Sequence, residues 1–273
     1  MPRWTSCLCL GIFGCALLAC GDDSSTDGGG GSGAQGGNSA GGNAQGGNSS
    51  NGGSGGAATG GSGQGGSGQG GSGGQSGVPT AADLLALTTN CDPVSGNLYQ
   101  TDDDGSAATI PVCTLNGGFF WKADMDIDCD GQPSDVCNLN TDPAFQAQTS
   151  ATDSNGDFLD AKTLPYVVIP LPSNRFDYET SNVLLGAVVA VIYNGQVTYG
   201  VFGDEGPDNI IGEASYAMAS LLGIDPDPST GGTDSGVTYI VFTGGGAVVD
   251  PIEDHAAAVT LGQTLAAGLI QNN

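Results

Sequence analysis

Basic residues are scarce: 4 Lys or Arg face 29 Asp or Glu in 273 residues, a formal charge of −25. That balance excludes a nucleic-acid binder, because phosphate recognition needs a positive groove and unpaired anions repel a phosphate backbone over a screening length of about 8 Å. Cations and neutral molecules are the compatible partners. Histidine occurs once, at His255, where the last helix is expected to begin after Glu253 and Asp254. A Ser-His-Asp or Cys-His mechanism would need that one imidazole, which reads more simply as a surface or ion-paired residue. The P-loop, the dinucleotide glycine fingerprint, G-x-S-x-G and H-E-x-x-H are all missing. Acid and base work therefore falls to carboxylates.

Aromatic residues and Leu, Ile and Val are missing from residues 21–77, which are rich in Gly, Ser, Asn and Gln. Nothing there can bury a core. Ahead of it, Arg3 precedes an apolar run from Cys7 to Ala19 that is too short to span a bilayer, the pattern of a secretion leader over residues 1–19. Leu17-Leu18-Ala19-Cys20 resembles a bacterial lipoprotein box, which implies lipid modification at Cys20, and Gly21 in place of Asp favours the outer membrane or cell surface over the inner membrane. Plain cleavage and secretion is the alternative. Residues 20–78 then read as a disordered tether with AQGGNS repeated at 34 and 44, spanning roughly 40 Å end to end. On this reading the chain touches a membrane only through its lipid.

Residues 79–273 are enough for one mid-sized domain and hold 26 of the acidic and 3 of the basic residues. Four cysteines fall here, Cys91, Cys113, Cys129 and Cys137. An exported chain oxidises such cysteines to disulfides. Three pairings are open, and short loops favour Cys91 with Cys113 and Cys129 with Cys137. A zinc site lacks the paired close spacings it usually shows.

Thr80 with Asp83 predicts a capped helix through Leu87. From Phe119 to Asp130 the residues alternate: Trp121, Ala123, Met125, Ile127 and Cys129 face one way, and Lys122, Asp124, Asp126, Asp128 and Asp130 the other, a half-buried strand with an acidic face. Tyr166 to Ile169 is a short buried strand. Asn194-Gly195 between two β-branched runs predicts a hairpin from Ala187 to Phe202. Glu213 to Leu222 reads as a helix, Val237 to Phe242 as a strand, and Ala256 to Ile270 as a closing helix. Strands outnumber helices, so the expected architecture is mainly β with a few helices, a barrel-like or sandwich-like single catalytic domain.

Two carboxylates stand where chemistry could use them. Asp204 leaves the end of the second hairpin strand, and Glu213 follows the apolar Ile210-Ile211-Gly212. Carboxylates in unlike environments suit glycoside hydrolysis, one protonated to serve the leaving oxygen and one ionised to activate water. On composition alone, a turn aspartate and a first-turn helix glutamate are the better account of both.

The stretches from Phe120 to Gly131, Leu164 to Ile169, Ala187 to Asp204 and Gly212-Glu213-Ala214-Ser215 resemble, in order, the fungal-type chitosanases of glycoside hydrolase family 75. The resemblance covers residues 115 to 245 or so and implies endohydrolysis of β-1,4 glucosamine links in chitosan with inversion. By motif and order it maps the essential Asp and Glu onto Asp204 and Glu213. Mechanism then suggests Glu213 as general acid and Asp204 as general base, since Glu205 and Asp208 make the second position wetter. No cofactor is implied.

Chitosan is a polycation, so an acidic domain attracts it. Asp124, Asp126 and Asp128 would stand about 7 Å apart along one strand face, near the length of a sugar ring, and could each meet a substrate ammonium. Lys122 on the same face could orient one of them, and Glu205 and Asp208 extend the acidic lining. Asp126-x-Asp128-x-Asp130-Gly131 also opens like a calcium loop, but Cys137 holds the twelfth position where a Glu is required, so no metal ligands are assigned. The alternative from another class is a tethered, non-catalytic polysaccharide-binding or adhesion module, with or without a calcium dependence. It would not require Asp204 and Glu213. Like-charge repulsion makes a monomer the expectation.

Overall fold

The computed structural model describes residues 77–102 and 105–273. The expected leader, the Cys20 lipidation point and the tether up to residue 76 lie outside the described residues. The described chain is mainly β: α1 (Ala81–Leu87), β1 (Cys113–Leu115), β2 (Gly118–Asp128), β3 (Tyr166–Pro170), β4 (Val188–Tyr193), β5 (Gln196–Gly206), β6 (Glu213–Ser215), α2 (Tyr216–Leu222), β7 (Thr233–Phe242) and α3 (His255–Asn272). The strands run in the order β1-β2-β6-β3-β5-β4-β7, and β7 pairs back onto β2, so six of them close a barrel. Closure removes exposed strand edges. Within it β2 with β6 and β3 with β5 run parallel, while the other pairs of the ring are antiparallel.

Alternation along each strand divides the apolar residues into two layers. Trp121, Ala123 and Met125 of β2 join Val167 and Ile169 of β3, Val189 and Val191 of β4, Phe202 of β5 and Tyr239 and Val241 of β7 in the barrel interior. Trp121 is fully buried and stacks on Tyr239 with centroids 5.3 Å apart. The residues between them, including Phe120, Tyr166, Val188 and Val201, pack outward under α1 and α3. Helix α3 lies over β4 and β5, and Gly262 allows that approach, since a β-carbon there would sit 2.3 Å from the Tyr199 ring.

Local signals translate directly into several elements. Thr80 and Asp83 exchange hydrogen bonds in a capping box at the start of α1. Asn194 and Gly195 adopt φ of 47° and 77°, the left-handed pair that a tight hairpin requires between β4 and β5. Both expected disulfides form, Cys91 with Cys113 and Cys129 with Cys137.

Two expectations are corrected. Glu213 does not begin a helix: Glu213–Ser215 is β6, paired with β2 and β3, and the helix starts only at Tyr216, where the Ser215 hydroxyl accepts from Met218 N at 3.2 Å. Backbone partners on both sides outweigh a local helical pattern three residues from a good cap. Cys129 does not share the Trp121 face, because β2 ends at Asp128 and the chain turns Cys129 into the outer layer.

Candidate active site

The acidic residues gather where the C-terminal half of β2, the short β6, β3 and the end of β5 meet. Asp126 pairs with Glu213 and Asp128 with Ser215 across the β2–β6 ladder. On the next strand Val167 pairs with Ala214, and Val168 pairs with Asp204 on the far side. Glu213 and Asp204 thus flank β3 from either side, with Val168 between them. A β-carbon built at Gly206 would lie 3.0 Å from both Glu213 Oε2 and Val168 Cγ1, so Glu213 extends over the same face as Val168.

Asp204 is 7% exposed. Its Oδ1 accepts three hydrogen bonds, from Ser150 N at 2.7 Å, Ser150 Oγ at 2.9 Å and Glu205 N at 2.8 Å. Burial pushes the Asp204 carboxyl above its ordinary range, and the Ser150 and Glu205 donors pull it back by favouring the ionised form. Ser150 comes from a loop distant in sequence, and no sequence signal marks it.

Carboxylate oxygens of Asp128, Asp130 and Asp204 come within 4.8 Å of one another. Two of them are fixed by local backbone donors: Asp128 Oδ1 accepts from Asp130 N and Asp130 Oδ1 from Gln146 N, each at 2.7 Å. Burial, then Asp130 and Asp204, raise Asp128 well above the usual carboxylate range. Burial also raises Asp130, to about 7, with the Gln146 N–H opposing. Three like charges this close cannot all be ionised near neutrality, so the group retains a proton. Tyr166 caps it, donating its hydroxyl to Asp130 O at 3.0 Å.

A second acidic group, Asp102, Asp124 and Asp126, lies on the other side of Glu213 in the β2–β6 ladder. Here the evenly solvated aspartate row is interrupted. Asp124 is only 4% exposed, whereas Asp126 and Asp128 are partly exposed and Lys122 is exposed. Between Ala123 and Met125 the β7 partner shifts from Val237 to Thr233 and the ladder bulges, while Gly212 closes over the Asp124 carboxylate. A β-carbon at Gly212 would fall 2.1 Å from Asp124 Oδ1, and its φ of +126° suits only glycine. Burial, then Asp126, raises Asp124 to about 8.

The remaining anticipated residues are more scattered. Glu205 is partly exposed and accepts a hydrogen bond from the Tyr178 hydroxyl. Asp208 is exposed, and its carbonyl accepts from Arg175 Nη1 at 3.1 Å. Among the described residues the salt bridge joins Lys162 to Asp135 at 2.5 Å rather than Lys122 to an aspartate. Asp102 and Ser150 are the additions that sequence reasoning missed. A separate surface depression of about 260 Å³ is lined by Asp153, Leu159, Asp160 and Glu253 among others and includes neither Asp204 nor Glu213.

A sequence profile described as fungal chitosanase of glycosyl hydrolase group 75 matches residues 125–265. Endo-chitosanase B of Aspergillus oryzae is 32% identical over 197 residues, covering 66% of this chain and 81% of its own length. Endo-chitosanase C of the same organism is 34% identical over 182 residues, covering 64% and 45% respectively. An endo-chitosanase of Aspergillus oryzae strain ATCC 42149 / RIB 40 is 36% identical over 174 residues, covering 56% and 70%.

Proposed function

The chain belongs to the fungal-type chitosanases of glycosyl hydrolase group 75, and from that membership we propose that it cleaves internal β-1,4 glucosamine links of chitosan with inversion, Glu213 acting as general acid and Asp204 as general base. The observation that carries this reading is the placement of the two acids on the strands either side of β3, with Val168 between them. Two strand spacings separate their backbones by about 10 Å. That backbone span is compatible with the separation of about 6.5–9.5 Å that inversion requires to seat a water, rather than the ~5 Å of a covalent nucleophile.

The environments divide the labour. Three donors on one oxygen of Asp204 hold the carboxylate still and favour its charged form, as suits a residue that orients water and takes its proton. Glu213 stands near Asp124 and Asp128, whose carboxyls its charge helps to raise, and the proposed acid role assigns it the proton for the leaving oxygen. Attack by water on the anomeric carbon, with departure of the glycosidic oxygen carrying the Glu213 proton, then needs no covalent intermediate. Glu205 and Asp208 contribute negative charge along the face for successive substrate ammoniums.

The chain is further read as exported, which the two disulfides support, tethered as a monomer through a lipid on Cys20. No helix among the described residues is long and apolar enough to cross a membrane.

Product analysis by NMR in the first minutes of chitosan digestion tests the central reading, because it reports the bond cleaved and the anomer released. The expected result is the α-anomer, with Glu213→Gln and Asp204→Asn each abolishing reducing-end release while polymer binding stays within severalfold of wild type. Undiminished turnover in both variants, or a β-anomer as first product, would reject it.

A further inference from the structure

We infer that Asp102, Asp124 and Asp126 form a binding site for one divalent cation of calcium-like, oxygen-seeking chemistry, built beside Glu213 and distinct from the Asp128–Asp130–Asp204 group. Three separate features of the chain converge on it. Asp124 and Asp126 are two residues apart on β2, and Asp126 is held in register by its N–H donating to Gly212 O at 2.8 Å. Asp102 arrives from the segment that succeeds the fully buried Tyr99. That segment is strapped alongside residues 209–211, Gln100 N donating to Asn209 O at 2.9 Å and Ile211 N to Gln100 O at 3.0 Å. Thr101 Oγ1 donates to Asp102 Oδ2 at 2.8 Å.

The spacing fits a single ion. One oxygen from each carboxylate lies within 4.8 Å of the other two, and oxygens on opposite sides of a calcium bound at 2.3–2.6 Å are about 5 Å apart. The second observation is independent of the clustering. Asp124 is 4% exposed and its Oδ1 is buried without a hydrogen-bond partner. Buried carboxylate oxygens are ordinarily satisfied, and an unmet one costs on the order of the group's desolvation penalty. Gly212 packs so closely against that oxygen that a β-carbon there would lie 2.1 Å from it, so no side chain fits at that position. The chain therefore spends a left-handed glycine to keep a carboxylate with an unmet oxygen buried beside two others. A cation supplies the missing partner. The ammonium of a sugar is a poorer occupant, since it arrives attached to a ring and Asp124 offers almost no exposed surface to receive it.

The test uses the full chain, stripped with a chelator and titrated with calcium chloride alone, following the thermal midpoint. Terbium, as a calcium substitute, provides a second readout. Tyr239 donates its hydroxyl to Asp124 O at 2.8 Å and stacks on Trp121, so ultraviolet excitation of these rings should sensitise terbium emission that calcium displaces. The expected result is a calcium-dependent rise in midpoint and a saturable one-to-one emission component. Asp102→Asn should weaken that component at least tenfold, while Asp157→Asn, an exposed control, should not. Asp124→Asn should abolish it and melt no lower than the calcium-free wild type, because an amide of the same shape fits the buried site with no charge to desolvate; if that variant fails to fold, Asp102→Asn alone decides. A midpoint and emission indifferent to calcium in the wild type would overturn the inference. So would equal binding by Asp102→Asn, which would put the ion elsewhere, or stabilisation by glucosamine oligomers but not by calcium, which would make the group a substrate subsite. Chitosan hydrolysis by the stripped wild type, measured in parallel, separates failure of the ion site from failure of the enzymatic reading.

Discussion

Gly206 faces Glu213 so closely that a β-carbon on it would lie 3.0 Å from Glu213 Oε2. The contact is tight but not impossible, and the same methyl would meet Val168 Cγ1 at 3.0 Å. Gly206→Ala therefore tests whether the placement of Glu213 governs catalysis. The fold should tolerate it at about 1–2 kcal/mol, whereas kcat on chitosan should fall at least tenfold, because displacement of an acid by even part of an ångström degrades proton transfer. Equal losses in stability and rate, read by melting curves and initial velocities, would assign Gly206 to packing alone.

Ser150 offers a gentler way to perturb Asp204. Replacing it with Ala removes the Oγ donor at 2.9 Å and keeps the backbone donors from Ser150 and Glu205. A donor to a carboxylate lowers its pKa, so the loss raises it. A general base must be ionised, and the acidic limb of the pH profile of kcat/KM should move upward by about one unit, equivalent to ~1.4 kcal/mol. Activity at pH 5 would drop more than activity at pH 7. An unchanged limb would separate Asp204 from the base role.

The carboxylate group around Asp130 reverses the usual effect of acid on stability. An aspartate of the unfolded chain ionises near 3.9, while folded Asp130 keeps its proton up to about 7. Between those values the folded state binds more protons, so stability falls as pH rises through the window and levels off beyond it. Asp130→Asn retains an acceptor for the Gln146 N–H and removes the charge. Relative to wild type it should melt at the same temperature near pH 4 and about 2–4 °C higher at pH 8, the equivalent of ~1 kcal/mol after allowing for screening. Differential scanning at the two pH values decides it, and a variant that is less stable at pH 8 would contradict the raised pKa.

The two disulfides should separate stability from activity. Cys91–Cys113 closes the longer loop, at a separation of 22 residues, and Cys129–Cys137 the shorter, at 8. Chain-entropy arguments give about 3.4 and about 2.5 kcal/mol respectively. Cys129, however, lies between Asp128 and Asp130, and its bridge holds the turn that carries both into the acidic group. The Cys129→Ala, Cys137→Ala double variant should lose less stability and more turnover than the Cys91→Ala, Cys113→Ala variant. The opposite ranking in kinetics would detach the short bridge from the site.

Much of this arrangement is legible without coordinates. A capping box at Thr80 and Asp83, an Asn-Gly between β-branched runs, apolar spacing of two from Trp121 to Met125 and an even set of four cysteines each specify local geometry through short-range sterics or hydrogen bonding. Their elements lie where expected. Local pattern makes Asp204 and Glu213 no more than candidates; the family resemblance, carried by the order of their motifs, is what singles them out.

The rest was decided by contacts between residues far apart in the chain. Glu213 is extended rather than helical because β2 and β3 both offer backbone partners to its short segment. Asp124 is buried because Gly212 and a bulge opposite β7 close over it, and Ser150 reaches Asp204 across 54 positions. The amino-acid order alone settles the capped first helix, the central hairpin, the alternating strand of Trp121 and how acidic the domain is, because those depend on composition or on neighbours a few residues away. Which carboxylates share a proton and which stays buried with an unmet oxygen depends on desolvation and on charges brought together by barrel closure, quantities that exist only once the chain has folded.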